Sequence, residues 1–385
     1  MDLVTLSANL RRIRAAKRMS QGDVALAAGL SRPGYRNLES GTSEPRSETL
    51  MSLAAALEVR LDELLAPVRQ LSAVRFRARK KMTMRGEILA RAATWLDNYN
   101  GLEMLLNDRR DFKLVPIRKK LGQHKGLDRA KKAAELARED MGIANQAIRN
   151  ISGLLEANGV KLFTPPCASE GFFGLSIAET DGGPAVLVNT WERLSVERWI
   201  FTAAHELGHL LLHLDSYDGA EIQEDPQQEK EADTFASHFL MPENIFKQEM
   251  QSARGLPLVK LVFKLKRIFR VSWRSVLYRI GSTPPNELGS LIARFQVQYR
   301  SIAGHTLSNT DEPECLAAEA FYPERPPAKA ADEPDHLVGD DFLEDRLNGL
   351  VRRAVEEDKI SLSRAAEILG CDLLKMRDLA NSWVA

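Results

Sequence analysis

Cysteine is scarce. The chain of 385 residues holds three, Cys167, Cys315 and Cys371, with no CxxC or comparable spacing. That excludes a disulfide framework and a thiolate-bound zinc. Long hydrophobic runs are missing as well. The most apolar internal stretch, LPLVKLVFKLKRIF, is broken by lysines and falls short of the roughly 20 residues a membrane span needs. The opening MDLVTLSANLRRIR has the spacing of an amphipathic helix and lacks the apolar run and small-residue cleavage site of a signal peptide. The expectation is a cytoplasmic protein with no membrane partner. No repeat of fixed period is visible. Net charge is absent too, with 53 basic against 53 acidic residues. The balance is uneven, however: residues 1–91 carry 17 Lys and Arg against 9 Asp and Glu. A basic front predicts a polyanionic partner there and not elsewhere. What remains, 44% hydrophobic and 28% charged residues, is ordinary for a soluble globular chain of two or three domains.

Along the chain, residues 1–65 read as five short helices. Leu6, Leu10 and Ile13 give the first its helical spacing. Ser20 and Ser31 stand where N-caps belong, and Gly29 and Gly41 where the chain must turn. A charged run, VRFRARKKMTMR, precedes a helix through Trp95, Tyr99 and Leu105, and residues 107–127 read as linker. From Asp128 two helices lead to three short apolar, β-branched or aromatic runs, VKLFT, GFFGLSIAE and AVLVN, expected to be strands of one small sheet. Further helices follow. Residues 305–345 hold 12 acidic and 2 basic residues with clustered prolines, and read as a loosely ordered linker. The tail is helical again. The expected division is 1–70, a helix-turn-helix domain; 71–127, a helical linker; 128–300, a metal-site domain; 305–345, the acidic linker; and 346–385, a helical hairpin for dimerisation or docking. The fold class is mainly α with a small β-sheet, α+β.

The stretch FTAAHELGHLLLHLD holds His205, Glu206 and His209. Two imidazoles four residues apart lie on one face of a helix, about 6 Å apart in rise, which suits two ligands of one Zn²⁺. Glu206 points toward the same cleft but sits too far round to ligate, where a carboxylate can take a proton from an activated water. The competing reading is a buried amphipathic helix with two satisfied histidines. His213 lies about 12 Å in rise from His205, so the three histidines cannot share one ion. A third ligand must come from the next helix, which offers Glu229, Glu231 and Asp233. Glu231 precedes an apolar face at Phe235, His238 and Phe239 and is the acid best placed to look inward; Glu229 and Asp233 are expected to face solvent.

RWIFTAAHELGHLLLH followed by EKEADTFASHFLMP resembles the ImmA/IrrE family of metallopeptidases over roughly residues 128–280. The resemblance implies a thermolysin-like site with His205, His209 and Glu231 as ligands of one Zn²⁺ (Mn²⁺ being the alternative ion) and Glu206 as base. It also implies helix-turn-helix repressors as substrates. His238 departs from the expected pattern. Tyr217, His213 and His238 stay open as the oxyanion donor.

The front, SQGDVALAAGLSRPGYRNLESGTSEPRSETL, resembles the Cro/C1-type (XRE) helix-turn-helix family over about residues 6–65. Val24, Leu26, Ala27 and Leu30 are the expected apolar side of the second helix and turn, with Tyr35 and Leu38 inward on the third. Arg32, Arg36 and Asn37 then face outward, Arg suited to guanine and Asn to adenine. Gln21 is placed to touch a phosphate, and by resemblance is a usual DNA contact. The run RFRARKK reads as a solvated helix face or as further phosphate contacts. Together these features predict a homodimeric DNA-binding regulator of an operator duplex, carrying a zinc endopeptidase that cuts itself or a partner helix-turn-helix repressor in a stress or mobile-element response. A ligand- or metal-sensing domain without turnover, and a zinc-stapled scaffold, are the competing classes.

Overall fold

In the computed structural model the described residues are 3–17, 19–65, 71, 73–78, 85–169, 171–217, 225–281, 288–308, 311–313, 337–342 and 346–383. The chain divides into two compact units, Met1–Leu71 with Lys81–Gly101, and Ser72–Lys80 with Leu102–Ala385.

The first unit opens with α1 (Leu3–Ala16), α2 (Gln21–Ala27), α3 (Arg32–Glu39), α4 (Ser47–Ala56) and α5 (Leu61–Leu65). Ser20 closes a capping box on α2: its hydroxyl accepts from Asp23 N at 3.2 Å, and its own N–H donates to the Asp23 carboxylate at 2.8 Å. Gly29, at φ 68°, makes the turn that only a residue without a Cβ makes cheaply. Ser31 caps α3 by accepting from Gly34 N, with Pro33 in the first turn, where its missing N–H costs little. Leu6, Leu10, Val24, Tyr35 and Leu53 bury their side chains in the shared core. The expected inner side of α2 needs correction. Val24, Ala25 and Ala28 are buried, whereas Leu26 is 84% exposed and Ala27 is also outside. Residue i+2 lies about 200° round the helix from residue i, so Val24 and Leu26 cannot both face one core.

After α5 come β1 (Val74–Ala78) and α6 (Arg85–Leu105). The expected helical linker over 71–127 is thus overturned in part: the charged run begins as a strand. Then follow α7 (Ile117–Lys120), α8 (Gly126–Asp140), α9 (Ile151–Ala157), β2 (Lys161–Phe163), β3 (Phe172–Ile177), β4 (Ala185–Val188), α10 (Val196–Leu212), α11 (Pro226–Leu240), α12 (Glu243–Ser252), α13 (Leu258–Phe269), α14 (Trp273–Gly281) and α15 (Leu288–Ala303). The sheet order is β1-β3-β4-β2. β3 pairs antiparallel with both β1 and β4, and β2 runs parallel to β4. The three expected strands are the last three of these. β3 and β4 are buried along their whole length, as strands covered on both faces must be.

The core of the second unit gathers around α10. This helix packs on β3 and β4 on one side and on α11 and α8 on the other. It is buried nearly all round, its polar members Glu197, His205, Glu206 and His209 included. Leu207, Leu210 and Leu211 are at most 1% exposed, and burial of each stabilises by about 1.5–3 kcal/mol. The crossing with α11 is close at Gly208, where an added Cβ would meet Phe235 Cδ1 at 2.9 Å. Asp225 caps α11 by accepting from Gln227 N, with Pro226 in the first turn, and the helix stops before Pro242.

Two further stretches belong to this core and not to linkers. Leu114, Ile117 and Leu121, from the expected linker 107–127, are buried in it, as are Leu307 and Phe342 from the acidic stretch 305–345. The centre of that acidic stretch, residues 314–336, lies outside the described residues. The tail forms three helices, Arg346–Glu356, Leu362–Leu369 and Leu373–Ser382, with the expected turn at Gly370, φ 65°. Arg346 ties it to the unit through Glu103 at 2.8 Å. Among the described residues no helix is long and apolar enough to cross a membrane.

His238 is half-buried, with Arg279 donating to its ring at 3.0 and 3.2 Å and to Glu243 at 2.5 Å. Burial, with the Arg279 cation beside it, lowers its pKa to about 3.

Two predictions follow from this packing. Gly208→Ala crowds Phe235 and is expected to destabilise the second unit by about 1–3 kcal/mol in denaturant melts; a neutral result would mean that the crossing is looser than drawn. His238 takes its proton in the unfolded chain near pH 6.5 but in the fold only near 3. The unfolded state therefore binds the extra proton as pH falls through that window, and stability drops. His238→Gln should flatten the decline of Tm between those pH values relative to the parent protein, and an unchanged slope would remove His238 from the acid response.

Candidate functional site

The i,i+4 spacing on α10 places His205, His209 and His213 in one ladder, each within 5% of full burial. The Nε2 atoms of His205 and His209 lie 2.9 Å apart. Glu229 of α11 brings one carboxylate oxygen to each, at 3.2 Å. These three residues form a cluster able to hold a metal ion, with donor atoms all within 4.8 Å of one another.

The other ring nitrogens are committed elsewhere. His205 Nδ1 meets Asp233 Oδ1 at 2.8 Å. His209 Nδ1 meets His213 Nδ1 at 2.9 Å, and His213 Nε2 meets Glu231 Oε2 at 3.1 Å. A consistent proton assignment runs down this relay. Each Nδ1–H of His205 and His209 donates outward, and His213 donates from Nε2 to Glu231. That assignment, with both Nε2 lone pairs free, is the one that ligation of an ion would require; without an ion, an Nε2 proton is what each ring gives to Glu229. Burial lowers His209 well below the usual histidine value and His213 to about 4, so both rings are neutral near pH 7. Burial alone would raise the Glu229 carboxyl, but hydrogen bonds from His205 and His209 outweigh it and hold the group well below the usual range.

The expected third acid, Glu231, is not brought to the cluster; Glu229 is. Glu231 lies on the buried stripe with Phe235, where His213 and Gln227 hold it, the latter at 3.0 Å. Glu229, expected in solvent, stands at the edge of that stripe with its side chain 21% exposed, and Asp233, one turn on, is exposed as expected at 50%. Their i,i+4 spacing, matching that of the histidines, was the available signal.

Glu206 is fully buried on the side of α10 that faces β3. Ser176 Oγ donates to its carboxylate at 2.7 Å, and Tyr217 OH donates to Ser176 Oγ at 2.6 Å. Gly174 lets α10 come close to β3 here: a Cβ would stand 2.6 Å from Thr202 Cγ2 and 2.6 Å from the Leu187 carbonyl oxygen. Burial raises the Tyr217 phenol, which keeps its proton. Of the three open oxyanion candidates, Tyr217 borders Glu206, His213 stands behind His209, and His238 is tied to Arg279. Ser176 had no motif to announce it. Arg75 of β1, 2% exposed, donates to Glu229 Oε1 at 3.1 Å and to Gln228, and it too was not foreseen.

In the first unit Arg32, Arg36 and Asn37 are exposed on α3. Gln21, at the start of α2, is half-buried; its amide donates to Glu39 at 3.0 Å, and Glu39 is gripped by Arg14 at 2.6 Å. A network of this kind fixes where the first turn of α2 sits against α3.

A metallopeptidase-like centre in one unit and a helix-turn-helix in the other define the class of this chain. Family comparison gives the same pair. The IrrE N-terminal-like domain of the M78 peptidases matches residues 156–281, and a helix-turn-helix family matches residues 10–64. Over 59 residues the chain is 39% identical to an uncharacterized HTH-type transcriptional regulator, YqaE, of Bacillus subtilis. That match covers 15% of this chain and 51% of the relative, so the chain spans about half of that protein's length. The chain carries an XRE-type helix-turn-helix domain and an ImmA/IrrE-like peptidase domain.

The geometry separates the two acids. Loaded with zinc and dialysed, Glu229→Gln is expected to retain much less metal than the parent, measured by elemental analysis. Glu231→Gln should stay close to stoichiometric, since it acts only through His213. The reverse pattern would return Glu231 to the ligand set.

Proposed function

We propose that this chain is a DNA-binding transcriptional regulator with a built-in zinc-dependent endopeptidase, which cuts itself or a partner helix-turn-helix repressor. The observation that carries the reading is the pairing of a His205–His209–Glu229 donor set with a buried carboxylate, Glu206, that contributes nothing to the set. A pure metal staple has no use for such a base.

The donor set fits zinc: two imidazoles and a carboxylate, with the outer ring nitrogens anchored. When bound, the ion supplies Lewis acidity that polarises a peptide carbonyl and acidifies water. The remaining work falls to the chain. Glu206 takes the proton of the attacking water and passes it to the leaving amine. Ser176, itself held by Tyr217, fixes the Glu206 carboxylate against β3. Asp233 and the His213–Glu231 pair keep the two ligating rings from turning.

On the first unit, Arg32, Arg36 and Asn37 present the base-reading face of α3 to a major groove. Gln21, steadied by Glu39, lies where the first turn of α2 meets a phosphate. A homodimer on a two-half-site operator, with the cytoplasm as its place of action, completes the proposal.

The test compares protein N-termini across cells carrying the parent protein or Glu206→Gln, before and after DNA damage, with zinc measured on both purified proteins. New termini that vanish in a zinc-loaded Glu206→Gln protein are the expected result. Identical termini with zinc intact would leave a DNA-binding sensor in place of a peptidase. On the DNA side, Arg36→Ala is expected to cost about 1–3 kcal/mol in operator affinity, read as lost occupancy in chromatin enrichment. Unaltered occupancy would remove Arg36 from base reading.

A further inference from the structure

The IrrE-like domain does not include β1, yet β1 completes its sheet. The strand pairs antiparallel with β3, and the register sets Arg75 opposite Ser176 and Arg77 opposite Gly174. Of those two β3 residues, Ser176 holds Glu206 and Gly174 makes room for Thr202 of the same helix. Residues directly opposite in an antiparallel pair project to the same face, so the Arg75 side chain leaves β1 on the Glu206 side of the sheet. It ends on Glu229 and Gln228, fully covered. Neighbouring strands lie about 4.8 Å apart. The β1 backbone therefore runs one strand-width from the residue that holds the proposed base, with its cation laid on the proposed ligand.

An exposed sheet edge recognises extended peptides by adding them as a strand, with alternate side chains read by pockets. Without β1, β3 would be such an edge, and it borders Glu206. We infer that the edge of β3 is the substrate-binding edge, that its occupant is an extended peptide with a basic side chain facing Glu229, and that β1 stands in for that peptide in this chain. The inference rests on the peptidase reading for the word substrate, though not for the binding edge itself. The acids at the cleft, Glu206, Glu229 and Asp233, give a basic side chain its complement. The fit of β1 is incomplete: Arg75 Nε is buried without an acceptor among the described residues. A buried donor left unsatisfied weakens a strand's hold and favours exchange.

The experiment uses the full chain carrying Glu206→Gln, so that nothing is cut, and a fluorescent peptide of sequence SAVRFRARK, residues 72–80. Ala178 N donates to Ala73 O at 3.0 Å across the ladder. Strand alternation therefore points the N–H groups of Arg75 and Arg77 toward β3 as well. Arg77→Pro removes one of those donors and loosens β1 while leaving Arg75 in the chain. Anisotropy is expected to show this variant binding the peptide at least about tenfold tighter than the parent, and a peptide carrying Arg75→Glu binding about tenfold weaker than the native peptide. Equal affinity of both proteins, or indifference to the Arg75→Glu change, would overturn the inference. Should Arg77→Pro fail to fold by circular dichroism, Arg75→Ala carries the same comparison.

With Glu206 restored, Arg75→Ala should cut a reporter peptide faster than the parent. A slower rate would make Arg75 part of the machinery and overturn the stand-in. Absence of turnover in every variant, with the binding pattern intact, would sink the peptidase reading and leave the strand edge standing.

Discussion

The close crossing of α10 and α11 is the contact on which the centre depends. His205 and His209 come from one helix and Glu229 from the other, so the donor set exists only while the two hold their spacing. Gly208 makes that spacing available, because the aromatic edge of Phe235 occupies the place a Cβ would take. The stacked pair Phe235 and Phe239, with ring centroids 5.5 Å apart, then fills the seam. Arg138 of α8 steadies the far end by donating to the carbonyl of Phe239 at 2.5 Å and to Ile143 at 2.7 Å. Desolvation lowers that guanidinium to about 10, yet it remains charged at neutral pH among carbonyl acceptors. Such a buried cation is costly to place and costly to remove, and it fixes one packing of α8 against α11 in preference to others.

The same economy of buried charge recurs around the sheet. Lys266 is held between Glu197, at the start of α10, and Glu312, at 3.3 Å. Arg346 bridges Glu103 and Asp108. Each pair joins elements distant in sequence and none sits in the metal cluster. Around the cluster the charged groups are Glu229 and Asp233 of α11 and Glu206 of α10, with the Arg75 guanidinium laid on Glu229.

Much of this was legible in the residues. Four-residue spacing of His205 and His209, the caps at Ser20 and Ser31, and the three short apolar runs each state a local rule that the fold obeys. Errors arose where a local rule met a tertiary one. The apolar stripe through Phe235 identifies the buried side of α11 and with it Glu231, but the carboxylate that reaches His205 and His209 is Glu229, at the margin of that stripe. Leu26 was read inward because it is apolar, although Val24 and Ala28 had already claimed the one inward side of a short helix. The basic run at 75–81 looked like a solvated helix face; its strand character depends on β3, a hundred residues away, which periodicity within the run does not report. Ser176 carries no motif at all, since its role follows from cross-sheet proximity to Glu206.

β1 and the metal cluster differ in how firmly they are held, and this bears on control. The cluster is borne by helices packed into the main core on several sides, so altering it means opening the unit. β1 is a five-residue edge strand with one neighbour, anchored by Val74, by a ladder to β3 and by one buried cation. Exchanging it costs the ladder, and an incoming strand restores the ladder in kind. On the peptidase reading proposed above, an occupied strand edge keeps the centre intact and silent. Displacing the edge strand changes access to Glu206 without disturbing the crossing of α10 and α11 that positions the ligands.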